Sequence, residues 1–199
     1  MTPGRVVIGI ALTAVAVALA WALMVGLGRL LRTTDPAVVD AVATPTAPAS
    51  PADPPAVPRI RATLFFASEN GQQLVPVARE VPLAEGVVAQ ARAIVEAQIS
   101  EPAPEPLAST IPSGTTLRGI YLSEANEMFV DLEGTIRNKH PGGSMNEIFT
   151  VYTIVNAVTV NLPDVPQVQL LIDGREVDTL AGHVDLRRPL RKNEMLIQQ

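Results

Sequence analysis

Two histidines and a serine are the residues whose types and spacing invite a chemical reading. His183 stands two residues before Asp185, and His140 stands four before Ser144, so a metal site or a Ser-His-Asp arrangement is the first thing to weigh. Neither is well supported by pattern. Ser144 lacks the G-x-S-x-G strand-to-helix elbow of a hydrolase nucleophile. Two histidines far apart in sequence with one nearby aspartate make a poor metal-ligand set, and the chain has no cysteine, which removes thiolate metal sites, disulfides and cysteine nucleophiles. The expectation is no metal and no cofactor, with both histidines hydrogen-bonded to pin loops. Gly142-Gly143 precedes a helix start, where exposed N–H groups and the helix dipole favour an anion. No lysine follows as in a phosphate loop, so the glycines are read as chosen for their backbone angles.

Other polar residues read as structural. Ser144-x-x-Glu147 has the form of a capping box, each side chain meeting the other residue's backbone N–H. Asn156 falls mid-helix among apolar neighbours, where a buried amide needs a partner, and a neighbouring loop is the expected one. Asp131 and Asp173 fall at strand ends, where carboxylates accept from turn N–H groups, and Asp173-Gly174 is a two-residue turn of the I′ kind.

The elements that must hold these residues follow in order. Arg59–Ala67 and Gln73–Val81 alternate as strands about the turn Glu69-Asn70-Gly71, with Pro76 suiting an edge. Leu83–Ile99 shows Val87, Val88, Ala91, Ile94, Val95 and Ile99 at helical spacing, with Gln90, Arg92 and Glu96 turned away. Leu117–Leu122 and Met128–Leu132 form a second hairpin. Ser144–Leu162 is a helix apolar on more than one side, and Val168–Ile172 pairs with Glu176–Leu180 through Asp173-Gly174. The order β-β-α-β-β-α-β-β predicts an α+β fold, two helices packed on a mostly antiparallel sheet. Residues 59–190 form the domain and 191–199 a frayed tail.

Ahead of it, Val6–Leu31 is almost wholly apolar, and about twenty such residues cross a bilayer core. Ala18-Leu19-Ala20 resembles a signal-peptidase site, but the run continues past it, so residues 1–32 are read as one uncleaved transmembrane helix. Basic residues flank the run on both sides, which leaves its orientation open. Residues 33–58, with seven prolines among Ala, Thr, Ser and Asp, read as a semi-rigid spacer. The formal charge of −5 with dispersed basic residues argues against a nucleic-acid partner.

Six stretches in order, IPSGTTL at 111–117, FVDL at 129–132, HPGGSMNE at 140–147, YTIVNAV at 152–158, VQLLIDG at 168–174 and GHVDL at 182–186, together resemble the GerMN domain, the sporulation and spore germination domain. The resemblance draws Pro141 and Gly182 into the set of motif residues. It implies a bacterial module outside the cytoplasm, tethered by a lipid or a single span, and an α/β fold similar to ring-forming domains of sporulation and secretion assemblies. It brings no established catalytic residues. With no cysteine to carry a lipid, the span takes the tethering role, and the resemblance places the N-terminus in the cytoplasm and the domain outside. The function expected is a non-enzymatic interaction or assembly module of the bacterial envelope, linked to sporulation or germination, with envelope proteins or further copies of itself as partners. The alternative is an envelope hydrolase or a wall- or ligand-binding protein using His140, His183 and Asp185.

Overall fold

The computed structural model describes residues 57–199. The span expected over 1–32 and all but the last two residues of the spacer lie outside them. Among the described residues no helix is long and apolar enough to cross a membrane.

The chain begins with strands β1 (Arg59–Ala67) and β2 (Leu74–Pro82), paired antiparallel from Arg59↔Pro82 to Ala67↔Leu74. Pro76 interrupts nothing, because it faces Phe65, whose own N–H and C=O turn away from β2; the donor that proline lacks belongs to the outer edge. Helix α1 (Val87–Ser100) follows. Gln90, expected to face solvent, is buried: its Oε1 accepts from the Ala84 N–H at 2.9 Å and its Nε2 donates to the Pro82 carbonyl at 3.2 Å, which fixes the entry to the helix. Arg92 and Glu96 stay outside as an i,i+4 ion pair.

Strands β3 (Leu117–Leu122) and β4 (Glu127–Leu132) form the second hairpin, with a bulge at Leu117/Gly119. A short helix α2 (Thr135–Asn138) and the long α3 (Ser144–Asn161) lead to β5 (Gln167–Ile172). Here the architecture departs from a single, mostly antiparallel sheet. β1 and β2 form a sheet of their own, and β5 runs parallel to β4, from Glu127↔Gln167 to Leu132↔Ile172. The reason lies in the connection, since α2 and α3 carry the chain back along the sheet and return it in the same direction, as a parallel crossover requires. The strand expected at 176–180 shrinks to β6 (Arg175–Glu176), and β7 (Leu190–Arg191) pairs with the other end of β5.

Helix α3 lies between two apolar clusters. Val151, Ile154, Val155 and Val158 pack with Ile120, Val130, Leu132, Val168, Leu170 and Ile172 of the second sheet. Phe149 and Ala157 pack instead with Leu64, Phe65, Phe66 and Leu74 of the first. A helix covered on two sides needs apolar residues around most of its circumference, which is what its sequence carries.

Residues 191–199 are not a frayed tail. Asn193 caps a 3-10 turn at Glu194–Leu196, and Ile197 lies beside Leu74 as a parallel bridge, with the Gln198 N–H donating to the Leu74 carbonyl at 2.8 Å. The chain's last residues therefore close on the outer edge of β2.

Candidate functional site

The first correction is at the start of α3. Gly143, at φ 86°, is the residue that precedes the helix, and no side chain caps it; Ser144 is already the first helical residue. Glu147 does not reach back to it. The Glu147 side chain is fully buried, with Oε1 accepting from the N–H groups of Leu180 at 2.9 Å and Ala181 at 2.8 Å, and Oε2 from the His183 N–H at 2.7 Å. The His183 ring stands against the same oxygen, Nδ1 to Oε2 at 3.1 Å. Burial alone would raise the carboxyl's pKa, but the bonds from the Ala181, His183 and Val184 backbone and from the His183 ring outweigh it and hold the group below its ordinary range. An ionised acceptor makes Nδ1 the donating nitrogen of His183. Serine and glutamate three residues apart matched a local pattern, while the glutamate's partners lie more than thirty residues downstream.

His140 is equally committed. Its Nδ1 accepts from the Gly142 N–H at 3.0 Å, so the ring proton sits on Nε2, which faces Thr150 Oγ1 at 3.2 Å. The Thr150 hydroxyl donates in turn to the Thr110 carbonyl at 2.6 Å, and Thr110 Oγ1 meets Thr153 Oγ1 at 2.8 Å. This chain of bonds holds the HPGG turn, including Pro141, against the loop before β3. Gly142 and Gly143 both have positive φ, and the Gly142 carbonyl accepts from Asn146 Nδ2.

Asp185 meets neither histidine. It holds Arg187 two residues on, through Nε at 2.9 Å and Nη2 at 2.8 Å, and that guanidinium keeps the exposed carboxyl far below its usual range. Gly182, at φ 99°, turns the chain between Thr179 and His183, its N–H donating to Thr179 Oγ1. No hydrogen bond among the described residues links His140, His183 and Asp185 to one another, and no group of three or more His, Asp and Glu side chains there is placed to hold a metal ion.

The two other aspartates share one arginine. Asp131 accepts from the Gly174 N–H at 2.8 Å and pairs with Arg118 Nε at 3.3 Å; Asp173 accepts from the Gly134 N–H at 3.0 Å and from Arg118 Nη1 at 3.2 Å. Asp173 and Gly174 have φ of 52° and 75°, the two positive angles that a I′ turn needs. Asn156, also fully buried, accepts from the Asn193 N–H through Oδ1 at 3.0 Å, while its Nδ2 has no partner among the described residues.

Two amides went unnoticed in the sequence. Gln98 on α1 and Asn161 at the end of α3 bond the backbone of β1. Gln98 falls three and four residues after Val95 and Ile94, on the buried face of α1, and a glutamine in that register is the signal that would have found it. A groove of about 650 Å³ between the end of α3 and residues 191–195 is walled by Val160, Pro163, Val165 and Pro166 with Arg191; Asn193, the partner of Asn156, lines it, but none of the histidines, aspartates or glutamate weighed above as site residues does. What the polar groups do together is hold loops: Glu147 fixes 180–183, His140 the turn before α3, the aspartates the two strand ends, and Asn156 the tail.

The Germane family, described as sporulation and spore germination, matches residues 63–178. Among solved structures, the tandem GerMN domains of the sporulation protein GerM from Bacillus subtilis align at 18% identity and a TM-score of 0.52, over 67% of this chain and 46% of that one. The first GerMN domain of the same protein aligns at 17% identity and a TM-score of 0.49, over 68% and 98%. A candidate lipoprotein from Clostridium perfringens aligns at 21% identity and a TM-score of 0.48, over 67% and 88%. This chain thus spans less than half of the tandem structure, and the likeness to it is one of fold. No curated protein matches the chain.

Proposed function

The chain belongs to the Germane family of sporulation and spore germination domains, and from that membership we propose that it is a non-enzymatic assembly module, displayed outside a bacterial cytoplasmic membrane to meet envelope proteins or further copies of itself. The observation that carries the non-enzymatic reading is Glu147. Among the described residues the one carboxylate that touches a histidine gives both its oxygens to backbone N–H groups, and His140 likewise has both ring nitrogens engaged. A general base needs a lone pair directed at a substrate; Glu147 and His140 direct theirs at the protein, and the nitrogen left over, His183 Nε2, meets no hydroxyl nucleophile among the described residues. The apolar run at 6–31 and the proline-rich stretch behind it support the tether and spacer. The family description, and the sporulation protein whose fold it shares, support a role in sporulation or germination.

The test uses the full chain. Hydrolysis of envelope substrates and bound metal are assayed before and after His183→Ala and Asp185→Ala, with crosslinking in intact cells alongside. The expected result is no activity to lose and crosslinks to the chain itself or to envelope proteins. An activity that disappears on either change with the fold intact would favour the hydrolase reading instead. Because the chain has no cysteine, an Ala56→Cys variant labelled by a membrane-impermeant maleimide on whole cells checks the placement outside, and absence of labelling overturns it.

A further inference from the structure

The strand edges of this fold are blunted by different devices, and the outer side of the second half of β3 has no hydrogen-bond partner among the described residues. On β1 the outward groups of Thr63, Phe65 and Ala67 each take an amide, Asn161 at Thr63, Gln98 at Phe65 and the Ala108 backbone at Ala67, while the outward position before them is the charged Arg61. On β2 the outward positions include Pro76 and Pro82, Arg59 donates to the Glu80 carbonyl, and the tail covers Leu74. The outer side of β5 carries β6 and β7. These are the ways proteins blunt a strand edge.

β3 is the outer strand of its sheet; helix α1 packs against it and Ile120 is only 5% exposed, but over its second half no group among the described residues bonds the outward N–H and C=O. Ser123 donates to the Glu127 carbonyl, so the antiparallel alternation points Gly119, Tyr121 and Ser123 at β4 and turns the N–H and C=O of Ile120 and Leu122 outward. Among the described residues nothing bonds them. There is no proline in β3, and its charged residue, Arg118, is already paired with Asp131 and Asp173. Beside this edge stands Tyr121, 56% exposed, its ring lying back over Gly119 so closely that a Cβ there would fall 2.6 Å from the hydroxyl.

We propose that two copies of the chain join β3 to β3, antiparallel, about a two-fold axis at Ile120. The edge complements itself in that register. Ile120 faces Ile120 of the other copy and exchanges both backbone bonds with it, and Arg118 faces Leu122, so no two like charges meet. Tyr121 faces the other copy's Gly119, the residue of β3 with no side chain, and the two rings come side by side across the axis. The bulge at Leu117/Gly119 keeps the contact short, so it is a weak pairing that forms where copies are concentrated, as on a membrane. The inference deepens the assembly reading above and rests on it.

The experiment is sedimentation of the full chain over a range of concentrations, with hydrogen exchange of the Ile120 and Leu122 amides at each one. The expected result is a dimer whose formation slows exchange at those two amides. Tyr121→Lys should weaken it about tenfold or more while the melting midpoint stays put, and Tyr121→Phe should keep it. Self-association with both amides still exchanging freely sinks the β3 pairing and leaves the assembly reading standing. A monomer at every concentration also sinks it, and the cellular crosslinks to other proteins then decide the assembly reading separately.

Discussion

Gln98 meets Phe65 as a neighbouring strand would, its Oε1 accepting from the Phe65 N–H at 2.8 Å and its Nε2 donating to the Phe65 carbonyl at 2.9 Å. One side-chain amide thereby satisfies a buried backbone position on the edge of a two-stranded sheet, which is marginal by itself. Gln98→Leu keeps the bulk and removes both bonds. It should cost about 2–4 kcal/mol, because a buried donor and acceptor lose their partners together. Urea denaturation measures it, and a midpoint unchanged from wild type would mean that the edge finds water instead.

Glu147→Ala leaves the N–H groups of Leu180, Ala181 and His183 without their acceptor. The expected loss is about 3 kcal/mol or more. Ser144→Ala, by contrast, should move the denaturation midpoint by less than about 0.5 kcal/mol, since Ser144 makes no capping bond. Equal losses from the two variants would restore the capping box.

The same carboxylate sets a pH dependence. Because the folded-state pKa of Glu147 is lowered from the ordinary 4.5, the unfolded chain binds its proton first as acid is added. The stabilisation is complete above that ordinary value and is lost as pH falls through the lowered one. Exposed acids such as Asp185 are also lowered, so the comparison is with Glu147→Gln. Denaturation midpoints plotted against pH should fall more steeply in wild type than in the variant below about pH 4.5. Parallel curves would show that Glu147 takes no part.

Asn156→Ala removes the acceptor for the Asn193 N–H. A cost of about 1–3 kcal/mol is expected, together with faster hydrogen exchange at Asn193. A stability loss with Asn193 exchange unchanged would show that the amide supports the helix rather than the tail.

What could be read from the sequence was what depends on near neighbours. Asp173-Gly174 announces its turn in two letters, and the alternation of Arg59–Ala67 and the spacing in α1 depend only on their own segments. The parallel pairing of β4 with β5 was hidden because strand composition does not name a partner, and these two meet only after a helix has been placed between them. Glu147 was misread for the opposite reason, since a valid local pattern lay ready for it. Its position four residues before Val151 and seven before Ile154 put a carboxylate on a buried face, and that conflict was the legible sign of a distant backbone partner. The amides that seal β1 were missed because Gln98 resembles any surface glutamine until its register is counted.

Glu147 and Asn156 stand nine residues apart on α3, about 13 Å along its axis, and between them they grip the chain at 180–183 and again at 193. The segment from Leu180 to Gln198 is therefore fastened to one helix at two points, to β5 through β7 and Gln169, and to β2 at its end. It should open as a single unit, with amides across it exchanging at one common free energy well below that of global unfolding, while β4 and β5 remain protected. The end of the chain then behaves as a latch on the fold, and either side chain of α3 is enough to loosen it.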